Sequence, residues 1–175
     1  MTESIKSKIR TVPHWPKKGI MFKDVTTLIK NPEGFKETID LLYKRYADKN
    51  IDKVVGIESR GFIFGAPLAY LLGCGFVIVR KPGKLPAECI CEEYSLEYGT
   101  DKIEVHKDAI EKGDRVLIVD DLLATGGTMA AARNLIKKLG GDVVELTFVV
   151  ELIDLKGRDK LKGESIYSIV EFEGE

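Results

Sequence analysis

The sequence offers little to a metal-stapled or disulfide-stapled fold. It holds two histidines and three cysteines, Cys74, Cys89 and Cys91. No CxxC pair occurs, and an odd number of thiols cannot close into a complete disulfide framework. Reduced thiols in the cytoplasm are the expectation. No apolar run reaches the roughly 20 residues of a membrane helix. The opening MTESIKSKIRTVPHWP lacks the apolar core of a signal peptide. Neither sign of charge dominates: 27 Lys and Arg against 28 Asp and Glu leave a net charge of −1, which argues against nucleic acid as a partner. GxxxxGK[ST] and GxGxxG are both missing, so nucleoside triphosphates and dinucleotides lack their usual signatures. What remains is an ordinary globular composition, 44% hydrophobic and 31% charged over 175 residues. A chain of this length suits one domain that buries roughly 70% of its unfolded surface.

Short apolar runs alternate with helical patterns. Asn31 caps a helix with Pro32 at its first position, and Phe35, Ile39, Leu42, Tyr43 and Tyr46 recur at helical spacing towards Asn50. Strands are predicted at Lys53–Ile57, Phe76–Val79, Arg115–Val119, Val143–Leu152 and Ser165–Val170, and helices at Gly61–Leu72 and Gly127–Leu139. Residues 81–93, rich in proline and charge, read as a loop, and 94–106 as a hairpin turning near Gly99–Asp101. LKGRDKLKG reads as a basic turn, and Trp15 as packing the N-terminal segment on the core. The strands are continuous apolar runs, the signature of a mostly parallel sheet flanked by helices on both faces, an α/β fold. Ligands of such sheets sit at the carboxyl ends of the strands. Three such ends are chemically rich: Glu58-Ser59-Arg60-Gly61, Arg80-Lys81 and Asp120-Asp121.

VLIVDDLLATGGT, Val116–Thr128, carries the most chemistry. Gly126 and Gly127 let the backbone approach a ligand where the next helix begins, and the N–H groups and hydroxyls of Ala124, Thr125, Gly126, Gly127 and Thr128 suit a phosphate. Taken alone, this turn fits a packed cap equally well. Asp120 and Asp121 discriminate, because two acids beside a phosphate cradle suit a sugar phosphate whose hydroxyls donate to carboxylates.

On these residues the chain resembles the type I phosphoribosyltransferases, and among them the members that use adenine. The matching segments are GIMFKDVT (Gly19–Thr26), GIESRGFIFGAPLA (Gly56–Ala69), VRKPGKLP (Val79–Pro86), YSLEYG (Tyr94–Gly99) and VDDLLATGGTMAAA (Val119–Ala132). The resemblance implies the type I phosphoribosyltransferase fold, one domain with an N-terminal hood over about residues 1–35 and a flexible lid hairpin over about 81–106. It implies transfer of 5-phosphoribosyl from PRPP to adenine, giving AMP and pyrophosphate, with Mg²⁺ carried by the phosphates rather than by an all-protein site. Homodimers are usual in the family, and an arginine matching Arg80 reaches the neighbouring subunit's site.

By the same resemblance, the ribose hydroxyls meet Asp120 and Asp121, and the 5′-phosphate lies on Ala124–Thr128. Pyrophosphate meets Ser59, Arg60, Arg80, Lys81, Lys84 and Tyr98. Adenine lies against Met21, Phe22 and Lys23, where Lys23 stands in place of a frequent arginine. The Ser59–Arg60 peptide is expected to be unusual, since relatives carry a non-proline cis bond there. Relatives acting on other purines place an aspartate before the Thr-Gly of the cradle, whereas this chain has Ala124. The catalytic carboxylate is therefore expected at Glu97, with Arg60 assisting. Ordering a fully disordered 12-residue lid would cost roughly 12–24 kcal/mol, more than three charge-assisted bonds return, about 5–9 kcal/mol. A preformed hairpin hinged near Pro82-Gly83 is expected instead. Two alternatives stand beside this function: a transferase for another purine, and a non-catalytic PRPP sensor.

Overall fold

A computed structural model describes residues 2–95 and 99–174. In chain order the elements are α1 (Thr2–Lys6), β1 (Arg10–Pro13), β2 (Met21–Asp24), α2 (Thr26–Ile29), α3 (Pro32–Tyr46), β3 (Lys53–Ile57), α4 (Arg60–Leu72), β4 (Gly75–Val79), β5 (Cys89–Ser95), β6 (Thr100–His106), β7 (Arg115–Leu123), α5 (Gly127–Lys138), β8 (Asp142–Leu152) and β9 (Ile166–Phe172). Two short 3₁₀ helices, Ile153–Leu155 and Gly157–Leu161, connect the last two strands.

The central sheet has five strands in the order β4-β3-β7-β8-β9, all parallel. Its apolar strands bury both faces. Val54, Leu117, Val119 and Val150 join one core with Leu42 and Tyr46 of α3 and Phe64 and Leu68 of α4. Val55, Ile57, Ile118 and Leu146 join a second core with Met129, Leu135 and Ile136 of α5. From β3 the chain crosses to β4 on one side, while β7 pairs on the other. This reversal opens a crevice at the carboxyl ends of β3 and β7, the usual ligand position in open α/β sheets.

Several elements depart from expectation. Strand β7 runs past Val119 through both aspartates, because Asp120, Leu122 and Leu123 continue the ladder to Phe148, Val150 and Glu151. The segment expected as loop up to Glu93 becomes strand from Cys89, paired antiparallel with β6. Tertiary pairing explains this: Glu92 accepts from Asn134 (3.1 Å) and pairs with Lys138, both on α5. Ile103 and Val105 of β6 are fully buried in the second core, so the base of the hairpin is anchored. Helix α3 stops at Tyr46 rather than Asn50, while its N-terminus is capped as expected, with Asn31 Oδ1 accepting from Gly34 N at 2.8 Å. Trp15 is half exposed and meets the Phe22 ring edge-on at 4.5 Å instead of entering the core.

At the opposite end of the sheet from the crevice, Glu145 of β8 is buried yet fully partnered. Arg45 grips it through Nε (2.7 Å) and Nη2 (2.8 Å), and Tyr46 Oη and Ser165 Oγ each donate at 2.6 Å. Burial alone would raise its pKa; Arg45, Ser165 and Tyr46 outweigh it and hold the carboxyl at about 2, down from an ordinary 4.5. A depressed folded pKa gives stability that is present above the unfolded value and lost as pH falls through the folded one. The wild type's advantage over Glu145→Gln is therefore expected to shrink by about 2–3 kcal/mol between about pH 6 and about pH 2, allowing for the partly exposed Arg45. Urea unfolding at a series of pH values checks this, and a pH-independent difference would refute it.

Candidate active site

The cradle is built where β7 gives way to α5. Gly126 is the N-cap residue at φ +77°, and no side chain caps the helix, so its first N–H groups face the cavity unclaimed by a protein cap. A Cβ on Gly126 would strike the carbonyl of Gly157, which explains glycine here beyond its backbone freedom. Ala124, Thr125, Gly126, Gly127 and Thr128, with Asp120, Met129 and Phe148, line a small cavity of about 70 Å³. The positive end of the helix dipole adds to its preference for an anion.

A second cavity, about 190 Å³, occupies the crevice between β3 and β7. Its walls bring together Glu58, Ser59, Arg60, Lys81, Tyr94, Asp120, Asp121 and Thr128. Arg60 opens α4 and its Nε donates to Asp121 Oδ2. Desolvation would lower its pKa, but Asp121, Asp120 and Asp24 together raise it, so the cation is secure. Asp120 is pushed well above the ordinary carboxylate range, first by enclosure and then by Asp121 beside it. Lys81 pairs with Asp101 on β6 and donates to Tyr94 Oη at 3.0 Å.

The third cavity, about 320 Å³, lies under the N-terminal hairpin and is lined by Arg10, Val12, Trp15, Phe22, Asp24, Thr26 and Arg60. Strand alternation decides which side chains enter it. Val12 pairs with Phe22 and Arg10 with Asp24, and all four point to the cavity. Arg60 belongs to both cavities, its guanidinium 5.9 Å from the Phe22 ring centre. An apolar, ring-lined cleft thus adjoins a crevice of mixed charge, which adjoins an anion cradle, at the carboxyl end of the sheet.

Residues 24–172 match the family described as the phosphoribosyl transferase domain. The chain belongs to that family. Among its relatives, adenine phosphoribosyltransferase of Chlorobium luteolum is 61% identical over 98% of this chain and 99% of its own. The crystal structure of the adenine phosphoribosyltransferase of Thermoanaerobacter pseudethanolicus superposes with a TM-score of 0.95 at 53% identity, covering 98% of this chain and 100% of that one. That of Saccharomyces cerevisiae, complexed with an imino-altritol bisphosphate and adenine, gives a TM-score of 0.91 at 43% identity, covering 97% of this chain and 98% of that one.

For a phosphoribosyltransferase the residues expected from sequence gather unevenly. Ser59, Arg60, Lys81, Asp120, Asp121 and the Ala124–Thr128 turn line contiguous cavities. Arg80 stands behind the crevice wall, with Nε and Nη2 donating to Glu58 at 3.2 and 3.3 Å. Lys84 is exposed on the following turn and lines none of the three cavities. Phe22 lines the apolar cleft, but the side chains of its neighbours turn away. Lys23 Nζ donates to Thr11 Oγ1 (3.2 Å) and lies 4.7 Å from the Phe172 ring centre, so only its backbone can serve the cleft. Glu97 and Tyr98 lie outside the described residues. The non-proline cis bond is Glu58–Ser59, one bond earlier than expected.

Sequence reasoning gave no site role to Glu58, Tyr94, Trp15, Arg10, Asp24 or Gly157, although it had placed Glu58 at a chemically rich strand end. Glu58 accepts from Lys81 N at 2.8 Å as well as from Arg80. Burial would raise its pKa, but these donors outweigh burial and lower it, so it ties the ends of β3 and β4 together. Its place in IESRG beside a strand end was the available signal. For Arg10 and Asp24, bonded at 2.7 Å, no local pattern pointed to the cleft.

Proposed function

We propose that this phosphoribosyltransferase transfers the 5-phosphoribosyl group of PRPP to N9 of adenine, releasing AMP and pyrophosphate in purine salvage. The observation that carries it is Arg60 shared between an aromatic cleft and a crevice of mixed charge that runs into the cradle. Such adjoining subsites accommodate base, pyrophosphate and ribose phosphate together, with C1′ of the ribose between the pyrophosphate it leaves and the base it joins. Adenine enters beside Trp15 and Phe22, with the backbone of Met21 and Lys23 offering C=O and N–H to its edge. The 5′-phosphate takes the N–H groups at Ala124–Thr128. Asp120 and Asp121 meet the ribose hydroxyls, and Ser59, Arg60 and Lys81 meet the pyrophosphate, with Arg80, Lys84 and Tyr98 assigned to the same anion. As the C1′–O bond to pyrophosphate breaks, these cations take up the leaving charge and the C1′–N9 bond forms. Glu97 is assigned as the acid–base group at the adenine ring.

Among the described residues no cluster of three or more His, Cys, Asp or Glu could hold a metal. The oxygen donors Asp120 and Asp121 fit a Mg²⁺ that keeps water and substrate oxygens as its other ligands. When bound, such an ion neutralises pyrophosphate charge. Residues 1–35 serve as the hood of a single domain, and residues 81–106 as the lid. Exposed Ile63, Tyr70 and Leu71 on α4 support assembly as a homodimer. Three free thiols fit a reducing compartment such as the cytoplasm.

Purified protein incubated with PRPP, Mg²⁺ and each purine in turn is expected to give a nucleotide from adenine and little from hypoxanthine, guanine or xanthine. Absence of AMP would sink the proposal. Turnover of another purine would transfer it to that base, and PRPP binding with no turnover would leave a sensor.

A further inference from the structure

The 3₁₀ helix Gly157–Leu161 touches none of the three cavities, yet it supports the cradle from beneath. Gly157 is buried against the turn: a Cβ on it would strike the Ala124 carbonyl oxygen and fall 2.8 Å from Leu123 Cδ1. Its own carbonyl lies where a Cβ of Gly126 would be. Two glycines of separate segments thus meet backbone to backbone under the anion-binding N–H groups.

This helix is pinned at both ends. Leu161 is fully buried in the second core. Arg158 grips Glu151 with two parallel bonds, Nε to Oε1 at 2.7 Å and Nη2 to Oε2 at 2.6 Å. Ser168 Oγ adds a donor to Glu151 at 2.6 Å, and Arg158 also approaches Glu171 at 3.9 Å. Glu151 is buried and stands opposite Leu123 in the β7–β8 ladder, the residue from which the cradle departs. The fork therefore fixes the helix to the strand pair that launches the turn. Planar, bidentate pairing sets orientation as well as distance, which lysine cannot reproduce.

We propose that Gly157 and the Arg158–Glu151 pair are positioning residues for the 5′-phosphate, holding the Ala124–Thr128 turn in its anion-binding shape without touching substrate. The proposal rests on the cradle taking the phosphate of the ribose, but not on adenine being the acceptor.

The test titrates ribose 5-phosphate, and separately Mg²⁺-pyrophosphate, into the full chain by calorimetry. Arg158→Gln and Gly157→Ala are each expected to weaken ribose 5-phosphate by about tenfold or more, as misaligned cradle bonds would. Pyrophosphate, held at the crevice, is expected to stay within about twofold, and Arg158→Lys to fall between wild type and Arg158→Gln. Folded variants with unchanged ribose 5-phosphate affinity would overturn the proposal. So would equal weakening of both anions, the mark of a general structural role. If Arg158→Gln does not fold, Gly157→Ala decides, since it keeps the ion pair. Wild-type protein that binds no ribose 5-phosphate would overturn the cradle and the proposal together. Failure to use adenine alone would leave this result standing.

Discussion

Arg60→Ala is expected to lower kcat/KM by about 10²–10⁴-fold, the equivalent of losing two charge-assisted bonds of about 1.5–3 kcal/mol each. Among the described residues, Arg60 is the one side chain that lines both the aromatic cleft and the crevice. On the proposed assignment, its removal withdraws a cation from the departing pyrophosphate. It also leaves Asp121, which is 5% exposed, without the guanidinium that pairs with it. An uncompensated carboxylate beside Asp120 then repels the very anion the crevice must hold. Arg60→Lys should recover part of the loss, since the charge returns without the planar fork. Steady-state kinetics on variants of native circular dichroism checks both, and a fall of less than about tenfold would remove Arg60 from the reaction.

How far the sequence speaks depends on whether the deciding forces are local. The strands of the parallel sheet were legible because burial on both faces demands unbroken apolar runs such as Lys53–Ile57 and Val143–Leu152. The cradle was legible because its chemistry lies in consecutive residues, Asp120–Thr128. Elements fixed by distant partners were not. Strand β5 looked like loop because its Glu92 answers to Asn134 and Lys138. Trp15 read as a core residue, although its edge contact with Phe22 serves a cleft wall. LKGRDKLKG read as a basic turn; its Gly157 packs against Ala124 and Gly126, and its arginine finds Glu151 seven positions earlier. The side of the hairpin that Lys23 occupies follows from its register with Thr11, which no single-strand pattern contained.

Glu97→Gln is expected to lower kcat at least about 100-fold while leaving the KM for PRPP nearly unchanged, the scale of general acid–base catalysis. The assignment rests on the resemblance, and the described carboxylates of the site are otherwise engaged, Glu58 with Arg80 and the Lys81 N–H. Ala124 stands where, by the resemblance, relatives acting on other purines place an aspartate, and its carbonyl packs on Gly157. Asp121 is committed to Arg60. Asp24 lines the aromatic cleft, and burial would raise its pKa, but Thr26, whose N–H donates at 2.9 Å, and then Arg10 outweigh burial and lower it, so it is a poor proton carrier near neutral pH. Asp120 does have a raised pKa, yet it sits where crevice and cradle meet, at the sugar rather than the base. On the resemblance, Glu97 of the lid is the acid proposed for this role. Ser95, two residues before Glu97, already abuts the cradle, with its carbonyl oxygen 3.2 Å from a Cβ placed on Gly127. A pH–rate profile adds a readout that folding alone would not move: the variant should lose one limb of the wild-type kcat profile. Near-normal turnover in Glu97→Gln, or a larger loss in Asp24→Asn than in Glu97→Gln, would transfer the role from the lid to the hood.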